Sequence, residues 1–370
     1  MGKRLAGLLF LLFMLAIPTC LVCTGGYQPL LRAAKSHTAP LERVEQVLQS
    51  YFPAAETLRR MRISLNYMGG NKEQNHVFIS EDALMLDVQP KDQQTINLNI
   101  NGLLHFSEKH QRTSYVMIIP TACAVQQYKV PYDTVAPLYN QKQQLIDDVY
   151  RRVSGHLTSI DVYPLLSDRQ NEYIYYRTDN NPTGLGGYYI YTVAAQKLGL
   201  KPRTLSEFDV KHLDYQYYGD LYERSPYRQI PPDRVSAYIF SRHWRSYTVT
   251  HYDQNGTRRY YTLYPEFRKE IDSAKGVLLG GVSSRIDIDI SNPQYTNQLL
   301  IFGDRSVQSY LPFLLIHYQR VTFIDTTQVS ANLLADLDIS DYNQVLFAYS
   351  ADSFVTEDLS SILSRLPSAE

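Results

Sequence analysis

Apolar and polar positions recur along the chain in two rhythms, and the change from one to the other marks out its elements. Leu41, Val44, Val47 and Leu48, then Leu58, Met61, Ile63 and Leu65, recur at helical spacing and predict a mostly polar helical stalk over residues 27–75. Beyond it, short apolar runs at Val77 to Ile79, Leu84 to Val88, Tyr115 to Ile119 and Ser159 to Val162 predict strands. Helices are predicted at Asn101 to Lys109, Asn140 to Val153 and Thr183 to Leu198, the last with Thr183 as N-cap and Gly199 as its stop. The pattern resumes late in the chain with Gly276 to Gly280, Arg285 to Ile290, Leu299 to Phe302, Val321 to Ile324 and Val345 to Tyr349, and with helices near Ser306 to His317 and Ser330 to Leu337. Alternating strands and helices predict an α/β layer fold with a mainly parallel sheet flanked by helices.

Residues 201–275 break this rhythm, being rich in Tyr, Arg and Pro, and predict a β-rich insertion. Ser246 to His251 and Arg258 to Tyr264 flank Asp253-Gln254-Asn255-Gly256, where Asn-Gly supplies the positive φ angles of a tight hairpin turn. Asn255-Gly256-Thr257 also fits a glycosylation sequon, but the turn accounts for it.

At the other end, Lys3 and Arg4 precede an apolar run from Leu5 to Val22, at the short end of what crosses a hydrocarbon core. Residues 1–26 therefore read as an export signal. With no small-x-small cleavage site after Val22, an uncleaved single-span anchor is favoured over a cleaved signal peptide, leaving the domain of residues 76–370 extracytoplasmic. Two of the three cysteines lie in that segment, so the exported part has only Cys123 and no intrachain disulfide. The formal net charge of -1 leaves no global field that selects nucleic acid, so any charge-dependent site is local. Tyr is abundant, 31 residues against 13 Phe, which suits half-buried strands and wet binding surfaces.

Several stretches share a pattern in order and spacing. They are Tyr175-Tyr176-Arg177-Thr178-Asp179-Asn180-Asn181-Pro182-Thr183 with Leu185-Gly186 and Tyr188-Tyr189; Leu299-Leu300-Ile301-Phe302-Gly303-Asp304-Arg305-Ser306 through Pro312-Phe313-Leu314 and His317-Tyr318; and Gly280-Gly281-Val282. Together they resemble the DHHW family, exported bacterial proteins of the SGNH-hydrolase superfamily related to alginate O-acetyltransferase enzymes. The resemblance covers nearly everything after residue 60 and implies an SGNH-hydrolase-like, flavodoxin-like fold.

Family chemistry needs a serine to attack an acyl carbonyl, a histidine to take its proton, and an aspartate two residues earlier to fix the imidazole tautomer. The resemblance places that aspartate at Asp179, but the histidine position holds Asn181 and the nucleophile position holds Arg305. An amide takes no proton near neutral pH, and a guanidinium stays charged and does not attack. The asparagine of the Gly-Gly-Asn block falls on Val282. The expectation is thus an SGNH scaffold with an inactive centre, in which Arg305 pairs with Asp179 and the binding residues are Asp179, Arg305, Asp304 and Ser306. No cofactor and no metal are expected.

Other residues admit sharper readings. Ser306 is a conceivable slipped nucleophile with no histidine in the Asp179 loop to activate it; His317 reads as a packing residue, and His243 and His251 as surface histidines of the insertion. Asp287 and Asp289 share a strand face, which the period of a half-buried strand explains better than a cation site. Partners left open are an envelope polysaccharide, an acyltransferase or active DHHW protein, or an envelope assembly complex contacted through the Tyr-rich insertion. The enzymatic alternative, an esterase or O-acetyltransferase using rearranged residues, needs a serine and a base within reach of each other in one cleft.

Overall fold

The computed structural model describes residues 19, 27–34, 55–131, 138–240, 246–254, 256–265, 279, 281, 283–291, 295–334 and 336–366. Apart from Thr19 the predicted anchor lies outside these, as do Leu41 to Leu48, His243, Asn255, residues 276–278, Gly280 and Val282. Among the described residues no helix is long and apolar enough to cross a membrane. The chain divides into two compact units, residues 1–71 with 225–228, and residues 72–224 with 229–370. The first contains helices α1 (Tyr27–Ala34) and α2 (Ala55–Met68), and within it the rings of Tyr67 and Tyr227 lie 4.6 Å apart.

The second unit begins with a small antiparallel sheet of β1 (Glu73–Gln74), β2 (Val77–Ile79) and β3 (Leu84–Leu86). Its core is an eight-stranded sheet drawn from β4 (Thr113–Ile119), β5 (Thr158–Ser159), β8 (Tyr247–Asp253), β9 (Gly256–Tyr260), β10 (Arg285–Ile290), β11 (Gln298–Gly303), β12 (Arg320–Asp325) and β13 (Gln344–Ser350). A separate two-stranded ribbon pairs β6 (Phe208–Tyr217) with β7 (Asp233–Phe240). The large sheet runs β5-β4-β13-β11-β12-β10-β8-β9, parallel from β5 to β12 and antiparallel beyond. Counted from β11 and read from β12, its parallel part has the order 2-1-3-4-5 of a flavodoxin-like sheet, with the chain opened at a different point. β4, β11 and β13 bury nearly every residue, as continuous apolar runs do in a sheet covered on both faces.

The structure differs from the sequence reading in three places. Helix α3 (Gln93–His110) starts eight residues before Asn101, because Asp92 caps it by accepting the Thr95 amide at 2.6 Å. Its buried stripe of Ile96, Ile100, Leu103 and Phe106 also includes Asn99, which donates to the carbonyls of Phe354 and Glu357 and accepts the Leu359 amide. The expected helix over Ser306 to His317 is broken into a 3-10 turn at Arg305–Ser309, a short α turn at Leu311–Leu314 and a further 3-10 turn at Leu315–His317, with Pro312 in the first turn of the middle piece. The insertion is no single β subdomain: β6 and β7 form the ribbon, whereas β8 pairs with β10 and extends the main sheet with β9. The hairpin at residues 253–256 and the helix α4 (Gly184–Lys197), capped by Thr183, match their sequence patterns.

Candidate functional site

Open α/β sheets bind ligands beyond the carboxyl ends of their strands, at the point where strand order reverses. Here that point lies between β11 and β13. Asp304 follows β11 and spans it: one oxygen accepts the Ser350 amide at the end of β13 at 2.7 Å, and the other accepts the Ser306 amide at 2.9 Å. This caps the 3-10 turn that begins with Arg305. The Ser306 hydroxyl also donates to Asp304, and both residues are buried, so neither is set up as a nucleophile.

Arg305 reaches the other half of the site. Its Nη1 donates to Asp220 Oδ2 at 2.6 Å, and its Nη2 donates to the Tyr217 hydroxyl at 3.2 Å and to Asp179 Oδ2 at 3.4 Å. The Tyr217 hydroxyl donates to the same Asp179 oxygen. The second Asp179 oxygen accepts the amide of Asn181 at 3.0 Å and its side-chain Nδ2 at 2.7 Å. Asp179 is 1% exposed. Burial pushes its carboxyl pKa up, but the Arg305 charge and the hydrogen bonds from Tyr217 and Asn181 outweigh this and hold it below the ordinary value. Asn181 thus donates to the carboxylate as an imidazole N–H does, but it offers no proton acceptor beyond it.

The loop carrying Asp179 is held from behind by Asp233 on β7. Its carboxylate accepts the amides of Arg177 and Thr178, each at 2.8 Å, and the hydroxyls of Thr178 and Tyr173. Burial raises the Asp233 pKa, and these hydrogen bonds oppose it only in part. Thr178 Oγ1 in turn accepts the Gly219 amide at 3.0 Å. Two glycines permit the convergence: a Cβ at Gly219 meets the Asp179 side chain, and one at Gly187 meets the backbone of Ser309.

Of the residues singled out from sequence, the structure brings Asp179, Asn181 and Arg305 into one network and leaves Asp304 and Ser306 outside it, hydrogen-bonded to each other. Val282 lies outside the described residues, but the neighbouring Gly281 carbonyl accepts Gln308 Nε2 at 3.2 Å. Arg305 is not an open cation awaiting an anionic sugar, since Asp179 and Asp220 flank it. Tyr217, Asp220 and Asp233 were not anticipated. Tyr217-Tyr218-Gly219-Asp220 carried a signal in its glycine beside an acid, whereas Asp233 after two prolines carried none.

His317 is buried with Nε2 2.8 Å from the Tyr191 hydroxyl. His251 is a core residue of β8, not a surface histidine, because Ser283 Oγ and the Leu279 carbonyl hold both of its nitrogens in the interior. Ser283 and His251 form a serine–base pair at 2.8 Å, but at 2% and 0% exposure no substrate reaches it. Among the described residues no histidine hydrogen-bonds Asp179, Asp304 or Ser306. Asp287 is engaged by Arg285 and Thr322, and Asp289 by Arg320. Glu73, His76 and Asp87 on the small sheet place donor atoms within 4.8 Å of one another.

A flavodoxin-like parallel sheet with an aspartate loop facing the turn after β11 places the chain among the open α/β proteins that carry their sites at the carboxyl edge of the sheet. The DHHW protein family model matches residues 94–324, and the chain belongs to the DHHW family. Among solved structures, a DHHW family protein from Eubacterium siraeum is similar at 21% identity and a TM-score of 0.65, over 80% of this chain and 98% of that one. Bacillus cereus PatB1 is similar at 14% identity and a TM-score of 0.62, over 77% of this chain and 98% of its own; a second PatB1 structure, with a sulfonyl adduct, gives the same identity and score. These likenesses show the fold. No curated protein matches the chain.

Proposed function

We propose that this chain is a non-catalytic DHHW protein, exported and tethered through residues 5–22, that binds a cell-envelope polysaccharide. The observation that supports it best is Arg305 seated between Asp179 and Asp220 where the family sequence pattern calls for a serine. A guanidinium fixed by two carboxylates neither attacks an acyl group nor leaves room for one. Tyr215 and Tyr218, at the end of β6 beside Tyr217, are exposed and offer ring faces of the kind on which sugar rings stack. A second reading, a subunit that docks an envelope acyltransferase or assembly complex, is favoured by the exposure of Val210 and Ile239 on the same ribbon.

The test is acetyl-ester hydrolysis and fluorophosphonate labelling by the full chain, beside a variant combining Asn181→His, Arg305→Ser and Val282→Asn. No turnover and no labelling are expected from the unaltered protein; either one overturns the reading. Co-sedimentation with isolated envelope polysaccharide, weakened by Tyr218→Ala, is expected for the glycan role. Retention of an acyltransferase in place of polysaccharide selects the docking role.

A further inference from the structure

Arg177 belongs to the same motif as Asp179, yet its side chain takes no part in the centre described above. Asp233 holds its amide, while its guanidinium lies 5.0 Å from the centroid of the Tyr173 ring, on the wall of a separate cavity of about 150 Å3. Arg305, Asp179, Asp220 and Tyr217 do not line this cavity. Each carboxylate on its wall is already matched. Asp82 pairs with Lys129 at 3.0 Å; Glu172 accepts from Arg169 at 3.2 Å through one oxygen and from the Tyr189 hydroxyl at 2.6 Å through the other. Arg177 pairs with no carboxylate among the described residues and is half-buried.

A guanidinium partly withdrawn from water without a counter-charge is an incomplete pair, and the cation–π contact with the Tyr173 ring helps hold it at the cavity wall. The cavity has room for about five waters at about 30 Å3 each, enough for a planar anionic group and the first atoms attached to it. One unmatched positive charge suits a carboxylate. A phosphate dianion brings a second negative charge towards Asp82 and Glu172, and the one other cation on the wall, Lys129, is already engaged by Asp82.

We infer that the Arg177 cavity binds the carboxylate group of a small organic or sugar acid, through a bidentate pair with the guanidinium. The test is calorimetric titration of the full chain with D-glucuronate, D-glucose and inorganic phosphate, repeated on Arg177→Gln and Arg177→Lys. Glucuronate is expected to bind roughly tenfold or more tightly than glucose, Arg177→Gln to lose roughly tenfold or more, and Arg177→Lys to recover only part, because an ammonium lacks the fork. No binding of glucuronate, equal affinity for glucose, unchanged affinity in Arg177→Gln, or tighter binding of phosphate each overturns it. Should Arg177→Gln fail to fold, the glucuronate and glucose comparison on the unaltered chain still decides, with glucuronate affinity expected to fall with added salt. Neither outcome bears on the Arg305 centre, which the ester and labelling assays read separately.

Discussion

Replacing Arg305 by alanine tests the central ion pair. The substitution removes the guanidinium from Asp179, which is 1% exposed, and leaves the carboxylate to the Tyr217 hydroxyl and Asn181. Breaking one side of a buried pair costs about 3–5 kcal/mol. The lower end applies, because those donors remain and the Arg305 side chain is itself 22% exposed. Loss of the contact to Asp220, 35% exposed, adds little. The expectation at pH 7 is therefore about 3 kcal/mol, or a fall of roughly 1 M in urea midpoint at a slope of about 3 kcal/mol per molar. The sign with pH follows from Asp179. Its pKa lies below the ordinary value in the folded protein, so its stabilising share is present above the unfolded carboxylate range and is lost as pH falls through the folded value. Without Arg305, burial raises the pKa and protonation relieves the orphaned charge, so the difference between the two proteins shrinks as pH falls towards about 4. Adding Asp179→Asn to Arg305→Ala is expected to recover most of the stability at pH 7. Urea unfolding of the full chain at both pH values reads all of this; a loss under about 1 kcal/mol, or one independent of pH, refutes the buried pair.

Further expectations concern the surroundings of the site. Gly219→Ala forces a methyl against Asp179 and is expected to lower stability by about 1–3 kcal/mol, read by the same unfolding assay. Asp233→Ala strands the amides of Arg177 and Thr178 and two hydroxyls, so both amides are expected to exchange hydrogen much faster, with a stability loss of about 3 kcal/mol or more. His110 is buried with neither ring nitrogen hydrogen-bonded, and burial lowers its pKa. Its neutral form is compatible with the fold above about pH 6.5, and stability is lost as acid forces protonation. Urea midpoints at pH 7 and pH 5 are expected to differ less in His110→Met than in the unaltered chain.

The strands of the sheet core were legible because apolar runs such as Leu299 to Phe302 and Val345 to Tyr349 have no alternative but burial on both faces. Helix α3 was read short because Asn97 and Asn99 interrupt its stripe, although Asn99 is buried and bonded to backbone on three sides. The division of residues 201–275 was illegible, since β8 finds its partner β10 more than thirty residues on and nothing local distinguishes it from β7. The motif order placed Asp179 and Arg305 in one centre. It did not place Asp220, marked only by the glycine before it, or Asp233, which reach that centre only through the approach of the ribbon at Gly219 and of β7 behind the loop.

The altered opening point of the sheet sets an order of assembly. β13 fits between β4 and β11, with Gln344 beside Thr113 on one side and Leu299 on the other. Until β13 has emerged, β4 and β11 each show an unpaired apolar edge, and no pairing made earlier in synthesis joins the two halves of the parallel sheet. Closure thus waits on a contact spanning most of the chain, the kind of long-range pairing that makes folding slow. Loss of β13 leaves two sticky halves in place of a smaller protein.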